Sequence, residues 1–361
     1  MIDTLPANPD ALFQPFSLRN LTIPNRIVMA PMTRSKSPGG VPDQAVADYY
    51  RRRAEGGVGL IITEGTYVAH PAAGFDVNVP RFHGAASLAG WRHVAEAVHA
   101  AGGLIFPQLW HVGMAYGRGP EPTGPVVPMG PASMTELDIA DVIEAFGKSA
   151  ASAQELGFDG VELHGAHGYL IDQFFWEGTN KRTDGWGGDL VGRTRFGTEI
   201  IREVRLKVGP NYPVVLRFSQ WKLQDYEAKL AQNPEELGRF LQPLVAAGVD
   251  VFHCSQRRFW EPAFTGSDLN LAGWTKKLTG KPSITVGSIT LDDDFMTSFR
   301  TDAVAGVTGI DELLRRLERG EFDLVAVGRS LISNPDWSKK VRAGAIDSLK
   351  PFDRGILEQL F

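Results

Sequence analysis

Eight short, nearly unbroken apolar runs recur along the chain, and each is followed by a stretch that reads as a helix. The runs are Arg26–Ala30, Leu60–Glu64, Leu104–Leu109, Gly160–His164, Val214–Phe218, Val251–Ser255, Ser283–Gly287 and Leu324–Gly328. The helical stretches cover 43–55, 86–101, 135–156, 189–208, 234–247, 272–278, 311–319 and 335–343. Glycines stop several of them, at Gly56-Gly57, Gly102-Gly103 and Gly248, and Thr135-Glu136-Leu137-Asp138 has the spacing of a capping box. Strands that are apolar throughout must be buried on both faces, which a parallel sheet covered by helices provides. Eight such units in 361 residues predict a closed (β/α)8 TIM barrel, one domain over residues 1–361, with the Pro-rich residues 1–24 as an N-terminal cap over one end. An open doubly wound sheet is the alternative. The absence of a G-x-G-x-x-G run after the first strand counts against a Rossmann site.

Composition narrows the function classes. The net charge of −5 is interspersed, and no Lys/Arg tract points to nucleic acid or an anionic membrane surface. The single cysteine, Cys254, excludes an intrachain disulfide framework and a cysteine-based metal cluster. No apolar run reaches the roughly 18 residues of a membrane span, and no secretory leader pattern is present, so the expectation is a soluble, cytoplasmic protein.

Chemistry in such barrels sits at the carboxyl ends of the strands. There the sequence offers Val161-Glu162-Leu163-His164-Gly165-Ala166-His167-Gly168-Tyr169. Two imidazoles and a phenol within six positions can grip an oxygen and handle a proton. A single histidine at a strand end is more often an ordinary structural group, and the trio beside glycines brings the two readings level. After strands seven and eight come Gly287, Gly328 and Arg329. Loops there often bind phosphate, glycine admits backbone N–H groups to an anion, and an arginine adds a forked cationic donor. Thr33, Gln108 and Arg217, at three other strand ends, suit a planar heterocycle with alternating donors and acceptors. Arg217 needs an anionic partner, solvent or a neighbouring salt bridge. Trp110, Phe75, Phe259, Trp260 and Phe264 could wall an apolar substrate cavity, or be plain packing.

Taken together, Pro31-Met32-Thr33-Arg34, Thr63-Glu64-Gly65, Gln108-Leu109-Trp110-His111, the Val161–Tyr169 stretch, Asn180-Lys181-Arg182-Thr183-Asp184 with Gly187-Gly188, and Val327-Gly328-Arg329 with Asn334-Pro335-Asp336 resemble the old yellow enzyme family of FMN-dependent ene-reductases. The resemblance spans nearly the whole chain and implies roles. The backbone at Ala30, Pro31 and Gly65, with the Gln108 side chain, would hold the flavin ring. Thr33 would hydrogen-bond the flavin carbonyl beside the reactive nitrogen. Arg217 would lie near the pyrimidine edge, and Gly287, Gly328 and Arg329 would take the FMN phosphate. His164 and His167 would bind the substrate oxygen, Trp110 and Phe75 would flank the substrate, and Tyr169 would donate the proton. NADPH or NADH would supply the hydride, and activated alkenes would accept it. Position 167 is His where many relatives have Asn, Thr33 stands where one branch has Cys, and Phe75 where some have Tyr. Segments 219–233, 255–270 and 343–361 match no branch.

Two other readings stay open at this stage. His111, His164 and His253 could hold a metal in a barrel hydrolase, although no carboxylate cluster accompanies them. A non-catalytic flavin binder is the other. The sequence leaves monomer and homodimer equally open.

Overall fold

The computed structural model describes residues 8–115, 129–294, 296–297 and 303–361. Residues 16–18 (β1) and 21–23 (β2) pair antiparallel as a small hairpin. The remaining strands close a parallel barrel: Ile27–Met29 (β3), Leu60–Tyr67 (β4), Leu104–Trp110 (β5), Val161–His167 (β6), Val214–Lys222 (β7), Val251–Ser255 (β8), Ser283–Val286 (β9) and Leu324–Val327 (β10), with β10 pairing back onto β3.

The (β/α)8 expectation is met, and alternation along each strand explains how the two faces are used. One row points outward: Met29, Ile61, Ile105, Leu163, Leu216, Phe252 and Val325 join the large cluster beneath the helices. The other row points inward: Val28, Leu60, Ile62, Phe106, Val215, Val251, Ile284 and Leu324 fill the barrel together with Leu18 and Ile23 of the hairpin. Each such fully buried side chain contributes about 1.5–3 kcal/mol. Within the stretch expected as a cap, residues 16–23 form a hairpin whose Leu18 and Ile23 plug the amino-terminal end of the barrel, after a 3-10 turn at Pro9–Phe13. Moving two residues further along the inner row, the side chains turn polar: Phe106 gives way to Gln108, Val215 to Arg217, Val251 to His253, and β6 presents Glu162 and then His164. The bottom of the barrel is an oil-filled core, and its top is a polar floor.

The helices are Gln44–Glu55 (α1), Ala85–Ala100 (α2), Glu136–Glu155 (α3), Leu170–Phe175 (α4), Arg195–Val208 (α5), Pro234–Ala247 (α6), Leu271–Thr279 (α7), Asp311–Glu318 (α8), Arg329–Ser333 (α9) and Trp337–Arg342 (α10). Their starts are written in the sequence. Asp43 caps α1, the Thr135/Asp138 capping box forms at α3, and Asn233 with Pro234 starts α6, which ends at left-handed Gly248. Such caps stabilise by about 1 kcal/mol each.

Three expectations change. β6 does not stop at His164 but runs on to His167, with a register shift between Gly165 and His167 against β7. The helix expected over 189–208 is a short 3-10 turn at Gly192–Thr194 followed by α5. A short helix, α9, also precedes the helix expected after the last strand. The stretch 113–131, rich in glycine and proline and read as a long loop between the third strand and the third helix, lies largely (116–128) outside the described residues.

Candidate active site

A cavity of about 440 Å³ opens at the carboxyl ends of the barrel strands. Of the expected site residues, Ala30, Pro31, Thr33, Phe75, Gln108, Trp110, His164, His167, Tyr169, Arg217, Gly287, Gly328 and Arg329 all line it. Gly65 does not; a Cβ there would lie 2.6 Å from the Trp110 ring and 3.3 Å from Gln108 Oε1. Its lack of a side chain lets those two groups seat against β4. Phe259, Trp260 and Phe264 lie outside the cavity lining, where Phe259 and Phe264 pack in the core and Trp260 against it.

The imidazoles and the phenol meet. The His164 and Tyr169 rings stand edge to face at 4.9 Å, the two imidazoles at 5.1 Å, and His167 and Tyr169 at 6.4 Å. Trp110 stacks on His164 at 6.0 Å and meets Tyr169 edge-on at 4.9 Å. Trp221 stacks on the far side of His167 at 4.5 Å. His164 Nδ1 accepts from the Ala166 N–H at 3.4 Å, which leaves Nε2–H as its donor. Burial, reinforced by the Arg217 charge, holds both imidazoles well below their ordinary range, so both are neutral near pH 7. Burial pushes the Tyr169 phenol up to about 12, against the pull of Arg217.

Under these rings Gln108 Nε2 donates to Glu162 at 2.8 Å, and Glu162 accepts from His253 Nδ1 at 2.7 Å. Arg217 is buried, its Nη2 donates to Ser255 Oγ at 3.4 Å, and its Nε has no hydrogen-bond partner. At the other end of the cavity Gly287 has φ +126°, and a Cβ there would meet backbone oxygens of Gln256 and Arg257 at 2.7 and 2.8 Å. Glycine is therefore required by the turn itself. Gly328 is different. A Cβ there would make only ordinary contacts, with Met32 at 3.5 Å and Ala30 at 3.8 Å, so its bareness leaves room on the cavity side. Arg329 is held by the carbonyls of Asp293 and Asp294.

The histidines considered for a metal are engaged separately: His111 with His70, His253 with Glu162, and His164 beside Tyr169. Among the described residues no group of three His, Cys, Asp or Glu side chains could hold a metal ion.

Residues 11–348 match the model of the NADH:flavin oxidoreductase / NADH oxidase family, which covers most of the chain. The chain belongs to this family, the old yellow enzymes. It is 33% identical over 363 residues to 12-oxophytodienoate reductase 7 of Oryza sativa subsp. japonica, covering 92% of this chain and 88% of that protein. It is 36% identical to an NADH oxidase of Thermoanaerobacter brockii over 94% of this chain, which spans about half (52%) of that longer protein. The solved structure of morphinone reductase in complex with tetrahydroNAD superposes with a TM-score of 0.77 at 29% identity, over 96% of this chain and 93% of that one. As a family member the chain is an FMN-dependent oxidoreductase with a nicotinamide co-substrate. The site fits FMN on its own terms: a buried guanidinium with an orphaned Nε, a glycine floor, and a volume within the roughly 300–1,000 Å³ of small-molecule sites.

Several residues at or beneath this cavity are not among the candidates the sequence offers. Glu162 was legible in principle, because a carboxylate two residues before His164 must share its inward face. Ser255, Trp221 and Tyr226 line the cavity from two of the three segments that match no branch, and no local signal marks them.

Proposed function

We propose that this old yellow enzyme reduces the carbon–carbon double bond of α,β-unsaturated carbonyl or nitro compounds, using NADPH or NADH. The supporting observation is the convergence of the His164, His167 and Tyr169 rings, 4.9–6.4 Å apart, over one cavity. Ala30, Pro31, Thr33, Gln108 and Arg217 hold the ring end of FMN, with Gly65 shaping the wall behind them; Gly287, Gly328 and Arg329 hold its phosphate. Bound FMN supplies the hydride that adds to the β-carbon of the substrate. The N–H groups of neutral His164 and His167 donate to the activating oxygen and stabilise the negative charge that builds there. The Tyr169 O–H, protonated at neutral pH as a phenol is and held further so by burial, delivers its proton to the α-carbon. Trp110 and Phe75 flank the alkene and keep water away. The protein orients and polarises, and the cofactor does the redox chemistry.

The test is direct. Under anaerobic conditions, protein reconstituted with FMN should turn over NADPH or NADH only when 2-cyclohexenone or a maleimide is present, with one saturated product formed per nicotinamide. Flavin binding with no alkene-dependent turnover would favour the carrier reading instead.

A further inference from the structure

The turn that presents His167 and Tyr169 is strained and clamped. His167 (φ +65°) and Gly168 (φ +79°) are consecutive left-handed residues, a conformation that costs a residue with a Cβ about 1–2 kcal/mol. It persists because its polar backbone atoms are bound. The His167 N–H donates to Ser219 Oγ at 2.9 Å, and the His167 carbonyl accepts from the Leu223 N–H at 3.2 Å. The Gly168 N–H donates to Asp172 Oδ2 at 2.7 Å, and its carbonyl accepts from Gln173 Nε2 at 2.7 Å. The second oxygen of Asp172 accepts from Lys222 Nζ at 2.7 Å, and the same ammonium donates to the Ser219 carbonyl at 3.0 Å. Both charged side chains have no exposed surface at all. Lys222 also sits opposite His167 in the β6–β7 register.

We propose that Lys222 and Asp172 are a positioning pair for the reduction reaction: Lys222 keeps Asp172 ionised and aimed, Asp172 holds the Gly168 N–H, and the held turn sets the directions of His167 and Tyr169. This rests on the roles given to those two residues above. A buried ion pair adds little net stability compared with apolar side chains of similar volume, so stability alone does not account for one here. Geometry does, because a 1 Å misplacement of a reacting group costs about a hundredfold in rate.

The experiment compares neutral pairs, so that no variant buries an unpaired charge. Lys222→Met/Asp172→Asn keeps an oxygen acceptor for the Gly168 N–H, whereas Lys222→Met/Asp172→Ala removes it. Flavin reduction by saturating NADPH and flavin reoxidation by 2-cyclohexenone are followed separately under anaerobic conditions. In both double variants FMN content and flavin reduction should stay within about threefold of the parent, while reoxidation should fall about tenfold or more in the alanine variant only. The single variant Lys222→Met adds a pH signature. Lys222 is the charged group that bears on Asp172, whose carboxyl burial already raises. Without Lys222 the carboxyl stays in place only when protonated, so reoxidation should fall as pH rises from about 6 to 9, where the parent is level. Equal reoxidation rates in the two double variants, or equal loss in both half-reactions, would overturn the proposal. Failure of the Tyr169 reading is separately visible, as Tyr169→Phe slowing both half-reactions alike.

Discussion

Nδ1 of His253 lies 2.7 Å from a carboxylate oxygen of Glu162, and both side chains are wholly enclosed by the barrel. The other oxygen of that carboxylate accepts from Gln108 Nε2 at 2.8 Å. Burial keeps His253 below its ordinary range despite the opposing charge, so it acts as a neutral donor. The Glu162 charge in turn supports the buried Arg217 guanidinium. One carboxylate thus ties together three buried polar groups, Gln108, Arg217 and His253, from strands β5, β7 and β8.

Replacing Glu162 with Leu should orphan two buried donors at once. Each left unsatisfied costs about 1–3 kcal/mol, so thermal unfolding should move down by several degrees. FMN should also dissociate faster, because Gln108 and Arg217 lose their anchor. A melt and a flavin-release trace check this; an unchanged pair would mean that the network is ornamental to cofactor binding.

His164→Ala should weaken the binding of a phenol and reduce the long-wavelength colour that a phenol gives with the bound flavin. The Nε2–H donor fixed by the Ala166 contact is lost, and hydrogen bonds to a charged partner contribute about 1.5–3 kcal/mol. Titration with 4-hydroxybenzaldehyde measures it. Unaltered affinity would remove His164 from the oxygen-binding role.

The pH profile follows from burial. An ordinary imidazole charges as pH falls through about 6.5, but His164 and His167 are held well below that and remain neutral. Tyr169, raised to about 12, keeps its proton far into the alkaline range. Reoxidation by saturating enone should therefore be level from about pH 6 to 10. A limb centred near 6.5 that vanishes in His164 or His167 variants would contradict this assignment.

Glu64 gives a stability signature of opposite sign to most carboxylates. Its carboxylate accepts from the Arg34 and Ser35 N–H groups at 2.8 and 3.1 Å, yet burial raises it from 4.5 to about 7. The folded state thus binds a proton that the unfolded state releases, and stability is lost as pH rises from about 4.5 through 7. The shift corresponds to about 3 kcal/mol. Glu64→Gln keeps an acceptor oxygen for both N–H groups and removes the titration, so its stability relative to the parent should increase between about pH 5 and 7.5. Melting both proteins across that range tests it; parallel curves would refute it.

The barrel was legible because its determinants are local. Apolar strands recur eight times, punctuated by glycine stops and caps at several helices, and inner-row alternation shows where oil gives way to polar groups. Helix boundaries at α2, α6 and α7 fell within a residue or so of the sequence reading. The His164–Tyr169 trio and the late glycines were legible for a related reason: they sit at strand ends, where topology dictates a shared rim. What escaped depends on contacts distant in sequence. Lys222 and Asp172 are 50 residues apart, and His253 and Glu162 are 91 apart. The hairpin at 16–23 was hidden because its strands are three residues each, too short for a periodic signal.

The most direct test is anaerobic rapid mixing of the FMN-reduced protein with 2-cyclohexenone, for the parent and for Tyr169→Phe. The parent should return to the oxidised flavin spectrum with one equivalent of cyclohexanone. Tyr169→Phe should do so at least about a hundredfold more slowly, while its flavin is still reduced by NADPH at a near-parental rate. A parent flavin that stays reduced, or a phenylalanine variant that reoxidises as fast as the parent, would contradict the account.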